Sequence, residues 1–413
     1  MNLNLLALAV PLFTALIVLE YFASRKKHPE YFNLHNSVAN ISIGIAERLS
    51  DIFIAGLFYF VYDWIQRHWG LFAIRPGIAL WILLFLATDF LWYWYHRLAH
   101  EINILWLAHI VHHQSEDFNY TVSARITIFQ ALARSVFWSF LPLLGFPAEM
   151  ITAMLILHGT YPFFIHTRTI GKLGLLETIL VTPSHHRVHH ASNEKYLDRN
   201  YGDVLIIWDK LFGSFQAEEE TEPAVFGLTR PLRTYSFLWQ HFHFAVELWL
   251  AMKSKKKFRQ KLAVLFVKPE TIDPALRTTA ESYFQIGKDR DNRPIGQPLN
   301  RYVKWQIILQ LSGLFLVILF ENYLSTGFKL GFGLFTLLTL VNCGAIMEQK
   351  KWIFYLEFGR LALTATGLLL VYPASITALL LITLFTTLAW FSNPVKKYYL
   401  NSIYPPGNQK RNR

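Results

Sequence analysis

At 413 residues, 53% hydrophobic and 16% charged, with 13 Trp, 19 Tyr and 34 Phe, the chain is too apolar for a soluble protein of two or three domains. Its net charge of +11 does not signal nucleic acid: the sequence has no nucleic-acid-binding module, and Lys and Arg gather beside apolar blocks. The clusters Arg25-Lys26-Lys27, 253–257, Lys350-Lys351 and Lys396-Lys397 lie where the positive-inside rule puts them in a multi-span membrane protein.

In chain order, apolar blocks fall near 3–23, 39–66, 78–95, 126–146, 150–166, 303–321, 327–347, 352–371 and 373–391. Each is near the ~20 residues that cross ~30 Å of hydrocarbon. The first is read as a retained span, being too long for a signal-peptide core and without a basic segment before it. Gln130 and Arg134 interrupt the fourth, which with the fifth is expected to form a hairpin that dips in and returns. The fold class expected is therefore all-α, a polytopic membrane protein with nine transmembrane or re-entrant helices. Residues 1–300 would form a membrane domain with a histidine-rich cap, and 301–413 a bundle of four spans.

The flanking charges set an expected orientation. Arg25-Lys26-Lys27 leave the first span ending in the cytoplasm, so the third span and the hairpin return there and 170–302 stay on that side. Lys350-Lys351 and the tail Lys410-Arg411-Asn412-Arg413 agree with the same topology. Within 170–302, Gly213, Pro223 and Pro231 mark turns, and 237–250 reads as an interfacial amphipathic helix before the lysine cluster. Pro269, Pro274, Pro294 and Pro298 mark a linker to the last spans.

Cys343 is the single cysteine, so neither an intrachain disulfide nor a thiolate cage can form, and any metal must sit on His, Asp or Glu. Eight of the 16 histidines fall in three groups: His96 and His100; His109, His112 and His113; His186, His189 and His190. Spacings of three and four place side chains on one helical face. A lone H-x-x-x-H is common by chance, but three groups at span ends on one side of the membrane are not. Imidazole suits Zn, Cu and Fe, and this many His without Cys suit a dinuclear site better than one four-coordinate ion. His166, ending the fifth block, is expected as a ninth ligand, and His158, deeper in that block, as a core histidine. His185 could replace a neighbouring ligand or support one, while His28, His35, His68, His241 and His243 are read as surface or interfacial.

Asp89, seven residues before His96 and on the face that Tyr93 shares, is a candidate to hold an imidazole N–H; the plainer reading is a water-paired carboxylate. Glu101 and Glu116 follow the first and second groups and could hold a ligand's outer nitrogen, bind metal or act in catalysis, or be surface charges.

These residues resemble the sterol desaturase/fatty acid hydroxylase superfamily, whose signature is H-x3-H, H-x2-H-H and H-x2-H-H between spans. Within it they look like the alkylglycerol monooxygenase family, across DFLWYWYHRLAHE at 89–101, HIVHHQSE at 109–116 and TPSHHRVHH at 182–190. DRNYG at 198–202 and IIWDKLFG at 206–213 are also family-like, and the resemblance covers roughly 30–300. It implies a cytosol-facing centre of two Fe ions that uses O2 to hydroxylate a membrane lipid, with tetrahydrobiopterin or a redox protein as electron donor. It also implies that Asp198, Asn200 and Tyr201 line the site, against the plainer reading of loop hydrogen bonding. A sterol or fatty acyl hydroxylase or desaturase with a redox-protein donor is one alternative. A metal-ion transporter is another, although transporters place polar residues along several spans near the midplane. A lipid sensor without chemistry is a third; eight crowded imidazoles without metal would be a liability below about pH 6.5.

Overall fold

The computed structural model describes residues 3–74, 77–286, 296–371 and 374–404; Pro294 and the basic tail from Lys410 lie outside them. Among the described residues the regular structure is helical, with two isolated β-bridges, Leu180 to Leu205 and Ala191 to Phe226.

The chain opens with α1 (Ala9–Ser24), α2 (Leu34–Trp69), α3 (Ile78–Glu101) and α4 (Asn103–His109). Asn33 caps α2, its side-chain oxygen accepting from His35 and Asn36 N–H, which starts the helix cleanly after the first span. At 1.5 Å per residue, the 36 residues of α2 reach about 54 Å, longer than the hydrocarbon is thick. Next come α5 (Ile128–Trp138), α6 (Phe140–Leu144) and α7 (Ala148–Ile165). Helix α6 stops at Gly145, whose φ of +104° and approach to Phe72 O exclude a side chain, and Pro147 starts α7. The fourth and fifth apolar blocks thus form a helix–turn–helix.

The polar middle of the chain carries α8 (Pro183–His189), α9 (Ile207–Phe212), α10 (Phe237–Lys253), α11 (Phe258–Phe266) and α12 (Ala275–Tyr283). The last helices are α13 (Gln297–Leu319), α14 (Thr326–Met347), α15 (Ile353–Val371), α16 (Ser375–Trp390) and α17 (Ser392–Ile403).

Five of these helical segments are long and apolar enough to cross a membrane: Leu5–Ser24, α3, α7, α13 and α14. The α16–α17 pair, bent by 83°, makes a sixth if taken as one span. The nine expected blocks are thus not nine such helices. The block at 39–66 lies in α2, where buried Asn40 and Glu47 meet protein partners, and 128–144 is a short apolar helix. Apolar composition alone does not separate a buried helix from a membrane span.

Helix α10 packs one face into the protein and leaves Leu238, Phe242 and Trp249 exposed, but His241 and His243 do not lie at the surface as expected. It buries Phe237, Trp239, Phe244 and Leu248, and His241 and His243 are buried with them. Burial pushes His241 down to about 4 and His243 to about 3, because a protonated ring would lose its hydration. Phe244 and Leu248 pack with Ile43, Ile110 and Val111 under the second histidine group.

Core residues on either side of residue 300 share one cluster: Val38, Ile45 and Leu49 of α2 pack with Val303, Ile307, Leu340 and Ile346. Where α14 crosses the 235–237 segment, a Cβ on Gly344 would lie 2.3 Å from Tyr235 O. Gly344→Val is therefore expected to lower thermal stability by about 1–3 kcal/mol, as overpacking does. Gly331→Val, on the same helix with nothing within 4 Å of its Cβ, is the control. Thermal unfolding of both variants in the same detergent checks the difference.

Candidate metal centre

Four pieces of chain bring nine imidazoles together. The last turns of α3 carry His96 and His100. Extended Ile102 then bends the chain into α4, which ends at His109. A tight 3-10 turn, Ile110–Gln114, presents His112 and His113. Helix α7 ends at His166, and α8 carries His186 and His189, with His190 at its C-cap. Pro183 opens α8, and the side chains of Thr182 and His185 form a capping box there, so His185 closes the helix start and joins neither ring group.

The nine rings form two groups. His96, His100, His109, His113 and His189 make one; His112, His166, His186 and His190 make the other. Within each group the facing ligand atoms all lie within 4.8 Å of one another. The groups abut, with the His113 and His190 ring centroids 4.4 Å apart and those of His186 and His189 5.3 Å apart.

Hydrogen bonds at the outer nitrogens settle what the inner ones are. Nδ1–H of His96 donates to Tyr201 O at 2.8 Å, that of His109 to Gln130 Oε1 at 3.3 Å and that of His189 to Arg199 O at 2.9 Å. His166 donates to Pro162 O at 2.5 Å and His100 to Asp198 Oδ1 at 3.2 Å. A neutral imidazole has one N–H, so each of these Nε2 atoms is a bare lone pair. Yet His96 and His109 bring their Nε2 atoms to 2.9 Å, His109 and His113 to 3.0 Å and His166 and His186 to 2.9 Å. His100 and His189 aim Nε2 atoms with no hydrogen-bond partner into the same space. His96 and His109 are both committed at Nδ1, so their facing Nε2 lone pairs repel unless a cation lies between them, and this donor set fits metal ions.

Burial, and then the neighbouring imidazoles, hold His109, His112, His113, His186 and His190 well below the ordinary histidine range. Burial and His100 do the same to His189, and burial brings His166 to about 4. These seven rings are therefore neutral near pH 7, the form that binds metal.

Several supporting residues stand elsewhere than the sequence suggested. Asp89 does not hold His96, whose Nδ1 goes to a carbonyl. Its carboxylate instead accepts from Val204 N at 2.9 Å, Leu205 N at 3.1 Å and Trp208 Nε1 at 2.9 Å. His158, expected as an ordinary core residue, bonds Asp203 at 2.6 Å and lies 3.7 Å from Asp89, making a third compact buried group. Asn200 is fully buried, and its amide joins His185 O, Gln216 O and Gln216 N, so it braces the loop and does not face the rings. Tyr201 does face them, with its ring centroid 5.9, 5.3 and 6.0 Å from those of His96, His100 and His189.

Glu101 pairs with Arg97 at 3.1 Å, and Glu116 stands exposed beside Gly227; neither joins the ring groups. Two contributors escaped the sequence reading. Gln130, seen there as a flaw in an apolar block, orients His109. Asp209 accepts from Tyr201 N at 2.7 Å and Gly202 N at 2.8 Å, fixing the peptide whose carbonyl takes the His96 proton. No spacing signal links either to a box.

A fatty acid hydroxylase family model matches residues 81–214, the stretch from α3 to just past α9. The chain belongs to this family, within the fatty acid hydroxylase/sterol desaturase superfamily, and is a lipid-hydroxylating oxidoreductase of the membrane. It is 34% identical to alkylglycerol monooxygenase of Homo sapiens, covering 83% of this chain and 77% of that one, and 32% identical to that of Danio rerio, covering 86% and 80%. It is also 26% identical to ornithine lipid hydroxylase OlsE of Rhizobium tropici, over 50% of this chain and 63% of that protein. No solved structure matches the chain.

Two outcomes are expected from this geometry. Asp209→Asn loosens the Tyr201 peptide and weakens metal binding by about 10- to 100-fold, the usual effect of losing an outer partner; competition with a chelator of known affinity measures it. Metal-stripped protein loses stability as pH falls. Below about 6.5 the unfolded imidazoles take up protons that the folded ones, with their depressed values, refuse. The loss thus begins near 6.5 and continues towards the value of about 4 at His166. Thermal midpoints at pH 7.5 and 5.5 should differ, the lower pH giving the lower one.

Proposed function

We propose that the two imidazole groups hold two iron ions and that the protein hydroxylates the α-carbon of an ether-linked alkyl chain. The observation that carries this is the pair of abutting sets of imidazole nitrogens, each set within 4.8 Å, with the His96 and His109 Nε2 lone pairs facing one another at 2.9 Å. His96, His100, His109, His113 and His189 would hold one ion; His112, His166, His186 and His190 the other. Bound iron supplies the one-electron chemistry by which O2 attacks an unactivated C–H bond. The chain's own part is to position and tune. Tyr201 O, Gln130, Pro162 O, Arg199 O and the Asp198 carboxylate hold the outer protons and keep the rings in one tautomer.

The choice of lipid is supported by the names of the relatives covered most fully, which are alkylglycerol monooxygenases. A hydroxylated ether carbon is a hemiacetal, which separates into an aldehyde and a glycerol hydroxyl. Monooxygenation takes two electrons beyond those of the C–H bond, and tetrahydrobiopterin is the donor proposed. The basic clusters at the span ends support a site that faces the cytoplasm.

The test is anaerobic purification with metal analysis, followed by turnover of a 1-O-alkylglycerol with O2 and tetrahydrobiopterin. About two Fe per chain and release of the fatty aldehyde are expected; one Zn or no metal would overturn the reading. Turnover of a sterol or fatty acyl lipid with a ferredoxin- or cytochrome-type donor, and none of the ether, would favour the sterol desaturase side of the superfamily. His109→Ala and His186→Ala should each lower turnover by more than about 100-fold and lower the metal content with it.

A further inference from the structure

Three arginines are buried among the described residues: Arg125, Arg187 and Arg360. Arg187 has Glu218, with two contacts of 2.7 Å, and Arg360 has Glu357 at 3.1 Å. Arg125, 3% exposed, has no carboxylate. Its Nε donates to Val111 O at 2.8 Å, Nη1 to Asn40 Oδ1 at 2.8 Å, and Nη2 to Gln114 Oε1 at 2.7 Å and Gln240 Oε1 at 3.3 Å. Four neutral oxygens orient the guanidinium, one hydrogen on Nη1 is left over, and the positive charge has no counter-ion. A buried charge in this condition is costly, because neutral acceptors return only part of its lost hydration.

Arg125 borders a cavity of about 390 Å³ that lies between the start of α2, the 114–116 segment and the 232–235 segment. Arg233 and Glu116 also line it, so the lining carries two formal positive charges and one negative. Asp117 is not among the lining residues, although its carboxylate accepts from Asn33 N and Asn36 Nδ2 of the cavity wall at 2.8 and 3.1 Å. His241 and His243, the nearest imidazoles on α10, are neutral by burial and add no charge. The amides that hold Arg125 are themselves anchored: Gln114 Nε2 donates to Gln240 O at 2.9 Å and Gln240 Nε2 to Thr234 O at 2.7 Å. The cation is thus fixed in place before any ligand arrives. Burial accordingly lowers Arg125 to about 9, the mark of a charge that lacks a partner.

We propose that this cavity is a binding site for an oxyanionic group, a phosphate above all, with Arg125 as its buried counter-charge and Arg233 at its wall. The volume exceeds what a bare phosphate needs and leaves space for a substituent. A small second void shares Ala39, Tyr235 and Gln240 with the cavity and continues to Leu340, Gly344 and Met347 of α14. The second void, of about 10 Å³, is too small for an acyl chain, so a phosphate would come free from solution or as the headgroup of a lipid whose chains stay outside the cavity. The site adjoins the metal centre, since Arg125 holds Val111 O and Gln114 of the turn that carries His112 and His113.

The test uses full-length protein in phosphatidylcholine nanodiscs. One arm titrates inorganic phosphate against chloride at matched ionic strength and follows the thermal midpoint. The other dopes the discs with phosphatidic acid and reads retained lipid by native mass spectrometry. Saturable stabilisation by phosphate marks a free-anion site; retention of phosphatidic acid alone marks a headgroup site; either supports the proposal. In Arg125→Gln the half-saturating concentration should rise at least about tenfold, or lipid retention should be lost. Metal content equal to wild type shows that this variant has folded. Should it fail to fold, Arg233→Asn, which suits the left-handed backbone there (φ 47°), should weaken binding several-fold. Wild-type protein that responds to neither ligand, or folded variants that bind as wild type does, would overturn the site.

Discussion

The structure depends on protons being held at the outer nitrogens of its histidines. A buried imidazole that gives its Nδ1 hydrogen to a fixed carbonyl has no choice about its Nε2, which becomes a lone pair aimed inward. Five of the nine rings are committed in this way by Tyr201, Gln130, Pro162, Arg199 and Asp198. Burial reinforces the arrangement at His109, His166 and His189 by keeping those rings neutral. The result is a crowd of like dipoles that is unfavourable by itself and favourable around cations.

Holding that crowd needs a rigid frame, and the frame is a set of helix ends. His96 and His100 share a face at the close of α3, and the bend at Ile102 turns the chain back so that α4 meets them within a few residues. His166 lies where α7 gives out, and the histidines of α8 follow a proline-started, capped helix. The loop after α8 adds the carbonyls. It is pinned by two buried aspartates, Asp209 on the N–H groups of 201–202 and Asp89 on those of 204–205. A lipid oxygenase gains from this placement, since helix ends lie where an alkyl chain from the bilayer and polar reductants from water can approach one centre.

Much of the site was legible in the sequence because metal binding imposes local spacing. Residues three or four apart on a helix share a face whatever the rest of the protein does, so the three boxes stood out before any fold was known. His166 was reached by its place at the end of an apolar block. The residues that were misread act across long separations: Asp89 reaches 204–208, His158 reaches Asp203, and Asn200 ties down Gln216. The count of five or six long apolar helices, against about nine expected transmembrane or re-entrant ones, has a related reason. Apolar composition reports that a helix avoids water, and α2 and the 128–144 segment avoid it partly against protein.

By itself the sequence determined the helical class, the membrane setting, the family and the residue types that meet at the centre. Each of these follows from composition or from spacing within one helix. Tertiary structure alone decided how nine rings divide into two groups, which carbonyl takes each outer proton, and that Arg125 lies buried beside a cavity without a carboxylate. Those outcomes turn on which distant segments pack together, and hydrogen-bond partners separated by up to a hundred residues and more leave no periodic trace in the chain.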